Sequence, residues 1–174
     1  DDGVLFTGCY SNNPVCTPFR ATMLTGQYSS RCGVMQNNRP LPAGTPTFAD
    51  ALNDAGYTTA YVGKWHLGGT GNGPIAPELR GGFERFCGYQ CYNGSYRNVC
   101  FYDEQGTEHR FDRHRTEVTT DLAVEMLRDV AAGPFAMFVS YQAPHYPLEP
   151  APEYAELYAG KSVRRRANVE DVEP

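Results

Sequence analysis

Gly56-Tyr57-Thr58-Thr59-Ala60-Tyr61-Val62-Gly63-Lys64-Trp65-His66-Leu67-Gly68 is the stretch on which the fold turns. Residues 57–62 are rich in β-branched and aromatic side chains and stop at a glycine. That pattern predicts a buried strand running into a tight turn. Lys64 and His66 lie two apart just past the strand end, and extended geometry would point them to the same side. Open α/β sheets place ligands at the carboxyl ends of their strands. One cation and one titratable imidazole at such an edge suit binding and proton transfer at a tetrahedral oxyanion.

Downstream, residues 135–141 form an apolar run with a hydroxyl near its end, which predicts a central strand. Gln142-Ala143-Pro144-His145-Tyr146-Pro147 follows and puts His145 on a proline-flanked loop at the strand terminus. Residues 117–132 read as an amphipathic helix with Leu122, Met126, Leu127 and Val130 as its apolar face. Upstream, Thr45 is a candidate cap, Pro46 a first helical position and Gly56 a stop, so residues 46–55 read as a short helix. Residues 3–10 read as a strand. Between 70 and 115 the sequence is dense in Gly, Tyr, Asn and Cys without clear periodicity, an irregular insert of the kind that often carries function. The alternation of strands and helices predicts an α/β class, a largely parallel central sheet flanked by helices.

Cys16-Thr17-Pro18-Phe19-Arg20-Ala21-Thr22-Met23-Leu24-Thr25-Gly26 is the second informative run. Proline favours the first helical position, so a helix over residues 18–27 is expected with Cys16 just before it. Backbone N–H groups converge there at the positive end of the helix dipole. Arg20 adds a fixed charge at the same end. The combination suits a reactive group that handles an anion.

Composition sets the bounds. The chain has 174 residues, 41% hydrophobic and 20% charged, with a net charge of −5. A chain of that length buries about 70% of its unfolded surface, enough for one domain with a core. The charge gives no electrostatic case for nucleic acid. The basic cluster Arg164-Arg165-Arg166 sits in a polar tail and reads as solvated. No stretch approaches the ~20 apolar residues of a membrane span. There is no initiator methionine and no signal peptide, and the sequence reads as a piece of a longer protein. Of the six cysteines (9, 16, 32, 87, 91 and 100), setting Cys16 aside leaves an odd number. That favours free thiols and a reducing, cytoplasmic compartment, with a periplasmic or secreted location left open. A disulfide, or a metal knuckle with His109 or His114 as fourth ligand, is the lesser alternative. Both histidines lie in a polar run and are expected to be exposed.

Around Cys16 the pattern C-x-P-x-R followed by Leu-Thr-Gly resembles the signature of the formylglycine-dependent type I sulfatases, members of the alkaline phosphatase superfamily. Phe19 stands where that family usually carries serine or alanine. The 56–68 segment resembles the second sulfatase signature, and the Pro144-His145 pair resembles a third family feature. The resemblance is sharp at these three segments and follows the element order over most of residues 1–155. It implies an alkaline-phosphatase-like fold, of which residues 1–174 would be a partial catalytic domain. The N-terminal metal-ligand strand and the C-terminal part would be missing.

Family likeness also implies a chemistry. Cys16 would be converted to formylglycine by a formylglycine-generating or anaerobic sulfatase-maturing enzyme. Its hydrate would bind a divalent cation, usually calcium with magnesium as the alternative, and attack sulfur. Arg20 and Lys64 would hold the sulfate oxygens. His145 would position the sulfate and protonate the leaving oxygen, and His66 would deprotonate the second hydroxyl so that sulfate is expelled. Asn37 and Asn38 are candidate pocket residues. The cation's remaining ligands would lie outside this chain, because Asp1-Asp2 precedes a strand instead of following one. These 174 residues alone would therefore bind calcium poorly and show no turnover. The substrate would be a sulfated small molecule or carbohydrate, with residues 70–115 as a specificity region. There Tyr89, Tyr92, Tyr96, Phe101 and Tyr102 would either stack on sugars or pack a satellite core. Asn93-Gly94-Ser95 fits a glycosylation acceptor. A phosphonate or phosphodiester hydrolase, or a non-catalytic binding protein on the same scaffold, is the alternative function. Taken singly, each residue also has an ordinary reading: a buried thiol at 16, a surface ion pair at 20, a solvated lysine at 64, a satisfied core histidine at 66, a turn cap at 145.

Overall fold

The computed structural model describes residues 2–91 and 94–162. The expected class is observed: a mostly parallel sheet flanked by helices. Among the described residues the sheet has five strands in the order β4-β3-β2-β1-β5. Strand β1 (Thr58–Lys64) runs parallel to β2 (Arg85–Tyr89) on one side and to β5 (Phe135–Ser140) on the other. Strands β3 (Val99–Tyr102) and β4 (Glu108–Phe111) add an antiparallel ribbon beyond β2.

Strand β1 is buried along nearly its whole length because helices cover both faces of the sheet. Alternate side chains enter two separate cores. Tyr61 points to one, with Trp65, Phe83, Phe86, Ala21 and Leu24. Ala60 and Val62 point to the other, with Val99, Phe101, Val118, Met126 and Val130. The first is roofed by helices α1 (Cys16–Thr25) and α3 (Phe48–Asp54), the second by α4 (Arg115–Val130). Tyr61 stacks between Phe86 and Phe138 at 5.5 and 5.4 Å and meets Trp65 edge-on at 4.9 Å. Short helices α2 (Ser29–Cys32) and α5 (Pro152–Ala155) complete the set.

At the carboxyl end of β1 the backbones close in. Gly63 has φ +114°, and a Cβ there would stand 2.1 Å from the Ser140 carbonyl oxygen. Only a residue without a side chain lets β1 and β5 approach this closely.

Several expectations are corrected. Residues 3–10 form no strand; Val4, Leu5 and Phe6 are exposed and pair with nothing in the sheet. Their β-type composition favours extension, but a strand exists only where a neighbour supplies hydrogen bonds. Strand β5 lies at one edge of the described sheet, not at its centre, and is half-buried through residue 139. An apolar run reports covered faces, not position in the strand order.

Helix α1 begins at Cys16 itself, with Val15 as cap and Pro18 in the third position. Proline is tolerated throughout the first turn, since those N–H groups have no partner in the helix. Helix α3 is capped by Thr47 instead of Thr45, because Thr47 and Asp50 form a reciprocal capping box. Helix α4 starts two residues early, capped by His114, and turns Leu127 outward. Leu127 lies about 100° round the helix from Met126, and Val118 and Ala123 fill the stripe instead.

The segment read as irregular, 70–115, holds β2, β3 and β4. Its strands are four or five residues long, too short for alternation to stand out. An Asx turn, in which Asp103 Oδ1 accepts from Gln105 and Thr107 N–H, joins β3 to β4. Tyr89, Tyr96 and Phe101 are buried within the fold, while Tyr102 is half-buried. Tyr92, Asn93, Asp1 and Arg164-Arg165-Arg166 lie outside the described residues. The cysteines at 9, 16, 32, 87, 91 and 100 are not joined in disulfides. No helix among the described residues is long and apolar enough to cross a membrane.

Candidate active site

The site forms where α1 leans over the carboxyl ends of β1 and β5. Cys16 is the first residue of α1 and half-buried. The next N–H, that of Thr17, donates to Asn37 Oδ1 at 2.9 Å, and Asn38 N–H donates to Thr17 Oγ1 at 3.4 Å. The loop at 37–38 is thereby tied to the helix start.

Arg20 sits one turn along. Its Nη1 donates to Lys64 O at 2.7 Å, Ser140 Oγ at 2.9 Å and Tyr61 OH at 3.2 Å. These three acceptors belong to β1 and β5, so one guanidinium pins the helix to two strand ends. All three are neutral, and the full positive charge of Arg20 remains.

Lys64 ends β1 and is 2% exposed. Burial pulls its ammonium below the usual lysine range. The Arg20 and Arg115 charges pull the same way, while the thiols of Cys91 and Cys16 oppose. Lys64 therefore lies in the electrostatic neighbourhood of Cys16 and Arg20.

His66 reaches the same place by a route other than strand alternation. The strand has ended, and His66 takes a left-handed backbone with φ +59°; Asn38, its partner, has φ +62°. Non-glycine residues there carry strain that the surroundings must hold. Part of the hold is visible: Trp65 is fully buried, and its backbone N–H donates to Tyr89 O at 2.8 Å. His66 Nε2 meets Asn38 Oδ1 at 3.2 Å. An amide oxygen only accepts, so Nε2 carries the proton and Nδ1 keeps the lone pair. That Nδ1 is buried and has no hydrogen-bond partner. Burial, then the charges of Lys64, Arg20 and His145, push His66 down to about 4, so it is neutral at pH 7.

His145 is half-buried on its loop and contributes to the field at His66. Its Nδ1 lies 2.5 Å from Tyr146 O, which makes Nδ1 the protonated nitrogen and leaves Nε2 for a ligand. Cys16, Arg20, Asn38, Lys64, His66 and His145 are thus brought to one edge of the sheet.

The other two histidines differ from each other. His109 is exposed and pairs with Asp103 at 2.8 Å. His114, expected on the surface, is 6% exposed because it caps α4 and stacks on Tyr96 at 5.2 Å. Sequence reading passed over Tyr61 and Ser140, the Arg20 acceptors, and Arg115, buried at the head of α4. The hydroxyls of Tyr61 and Ser140 inside otherwise apolar strands were the available signal. Arg115 stood in a polar run and gave none.

Comparison with known proteins places this chain in a family. The family model described as Sulfatase matches residues 1–170, and the chain belongs to that family. It is 34% identical over 173 residues to the ulvan-active sulfatase of Formosa agariphila, covering 97% of this chain and 34% of that protein. It is 30% identical over 176 residues to the N-acetylglucosamine-6-O-sulfatase of Bacteroides thetaiotaomicron, covering 98% and 29%. A solved structure of a protein in complex with its substrate D-glucosamine-2-N,6-O-disulfate superimposes with a TM-score of 0.78 at 28% identity, covering 93% of this chain and 31% of that one. The fold is the alkaline-phosphatase-like fold of the sulfatases. The chain spans about a third of the length of the curated relatives it matches.

Proposed function

We propose that the full-length protein containing this chain hydrolyses a sulfate ester of a carbohydrate, with Cys16 converted to formylglycine by a maturation enzyme. The observation that carries this reading is the setting of Cys16: a helix start facing Arg20, whose three acceptors are all neutral, with Lys64 and His66 beside it. Such a site suits a sulfate ester, whose single negative charge is spread over three free oxygens. The carbohydrate class rests on the relatives, whose names and bound substrate are those of sulfated sugars.

Once so modified, residue 16 would supply a hydroxyl that displaces the sugar oxygen from sulfur, and a second whose deprotonation would let the aldehyde re-form as sulfate leaves. Arg20 and Lys64 hold the charge on the equatorial oxygens. His66, neutral with its Nδ1 lone pair unengaged, accepts the proton of the second hydroxyl. His145 acts as an imidazolium: with Nδ1–H held on Tyr146 O, it gives its Nε2 proton to the departing sugar oxygen and is left neutral.

The calcium that the family implies, or magnesium in its place, is not matched by this chain's own donors. Among the described residues no three His, Cys, Asp or Glu side chains converge on a metal position. The groups around Cys16 are a guanidinium, an ammonium and amide oxygens already engaged, whereas calcium takes six or more oxygens. The carboxylates for such an ion have to come from outside the described residues.

Peptide mass spectrometry of the full-length protein tests the reading. The Cys16 peptide is expected to be lighter than the thiol form and to be trapped by a hydrazide. The protein is expected to release sulfate from an aryl sulfate much faster than it cleaves an aryl phosphonate. An unaltered thiol in a protein that still turns over sulfate esters would refute the nucleophile; preference for the phosphonate would refute the substrate.

A further inference from the structure

His145 is held by groups that lie outside the Cys16 cluster. Three segments lock together behind it: residues 94–97, the start of α4, and the loop 142–149. Tyr96 OH donates to His145 O at 2.8 Å, and His145 N–H donates to Gln142 O at 2.9 Å. The Gln142 side-chain oxygen accepts from Arg115 Nη1. Arg115 Nη2 donates to Ser95 O at 3.2 Å, and its backbone N–H donates to Tyr96 O at 2.7 Å. The Arg115 guanidinium lies over the Tyr89 ring at 4.8 Å.

The far end of the loop is tied to the same hub. Glu149 Oε2 accepts from Ser95 Oγ and from Tyr96 N–H, both at 3.0 Å. His114 Nε2 donates to Glu149 O at 2.9 Å. Tyr96, His114, Arg115 and Gln142 are each less than a tenth exposed. Burying an arginine, a histidine and a glutamine costs desolvation that a plain surface loop does not need. What the hub fixes is the backbone of the loop that carries His145 to the sheet edge.

We propose that Tyr96 is a positioning residue for His145: its hydroxyl holds the His145 carbonyl, and Arg115 and Glu149 hold Tyr96, so that the imidazole meets the leaving oxygen. This rests on the sulfatase reading above. It predicts a selective defect, because proton donation matters for a sugar alkoxide and little for a stabilised phenolate.

The test uses the full-length protein with N-acetylglucosamine 6-sulfate and p-nitrophenyl sulfate. Tyr96→Phe keeps the ring contacts and removes the hydroxyl. Its kcat on the sugar sulfate is expected to fall about 10-fold, a fraction of the 10²–10⁴ a general acid supplies, with KM unchanged and the aryl sulfate altered less than about 2-fold. Glu149→Ala, at the exposed rim of the hub, is expected to show the same selectivity at about 3-fold and serves if Tyr96→Phe does not fold. Equal losses on both substrates, or no loss on the sugar sulfate, overturn the positioning role. His145→Asn separates the two layers. If it spares sugar sulfate turnover, the assignment of His145 fails, and Tyr96 with it. If it abolishes that turnover while Tyr96→Phe and Glu149→Ala do not lower it, only the positioning role fails.

Discussion

Arginines of this molecule are treated in two opposite ways. Arg85, at the start of β2, reaches Glu104 at 2.8 Å and Asp129 at 3.3 Å; Arg113, just before α4, reaches Asp121 at 2.7 Å and Glu117 at 3.4 Å; Arg110, on β4, pairs with Glu108. Each is partnered by carboxylate and at least partly wetted. At the Cys16 edge, Arg20 is bound by a carbonyl and two hydroxyls. Both kinds of arginine are hydrogen-bonded, and both shape the fold. The difference is in what remains: the first kind has cancelled its own field, and the second keeps it for an incoming anion. A count of ion pairs would find the first group and miss the second.

The contrast breaks most visibly at Arg20. Arg20→Ala in the full-length protein is expected to lower kcat/KM for a sulfate ester by at least about 10²-fold, the scale of losing one preorganised charge at a transition state. Stability should also fall, by roughly 1–3 kcal/mol, because the buried acceptors lose their donor. Steady-state kinetics and urea melts check both; a variant with unchanged kcat/KM would make Arg20 a structural pin only.

His66 sharpens the contrast through pH. Its folded value of about 4 lies below the ordinary 6.5, so between these the unfolded chain binds the extra proton and the folded one does not. The His66 contribution is therefore complete above pH 6.5 and drains as pH falls toward 4. Urea midpoints should decline over that window, and His66→Gln should flatten the decline. A decline indifferent to the substitution would mean that neither burial nor the surrounding cations bear on the imidazole.

Among the carboxylate-paired arginines, Arg113→Ala should do little. It and its carboxylate partners are wetted, and solvent screening leaves such pairs little net stabilisation. Turnover should match the parent. A loss at Arg113 as large as the loss at Arg20 would erase the distinction between the two kinds of arginine.

Much of the site was legible because its chemistry is compressed into short runs. Cys16 and Arg20 sit one helical turn apart, and Lys64 and His66 flank a tryptophan at a strand end. The strand-and-helix alternation gave the class for the same reason, since β1 and α4 are long enough to show their periods. What stayed hidden depends on partners distant in sequence. Residues 3–10 look like a strand because composition reports preference and not a neighbour. The β3–β4 ribbon hid in a four-residue register. His114 and Arg115 look like surface charge until Tyr96, Gln142 and Glu149 arrive from segments 18 to 35 positions away. The left-handed turn at His66 was unreadable, because its strain is sustained by contacts across the fold.

Gly63 has an effect out of proportion to its size. It has no group to offer a substrate, yet the gap it leaves open sets the spacing between the tip that presents Lys64 and the tip that presents Ser140 to Arg20. One added methyl would wedge these tips apart and loosen the guanidinium from both at once. An activity screen would rank that position with the chemical residues, although nothing reacts there; its signature would be a melt lowered together with turnover.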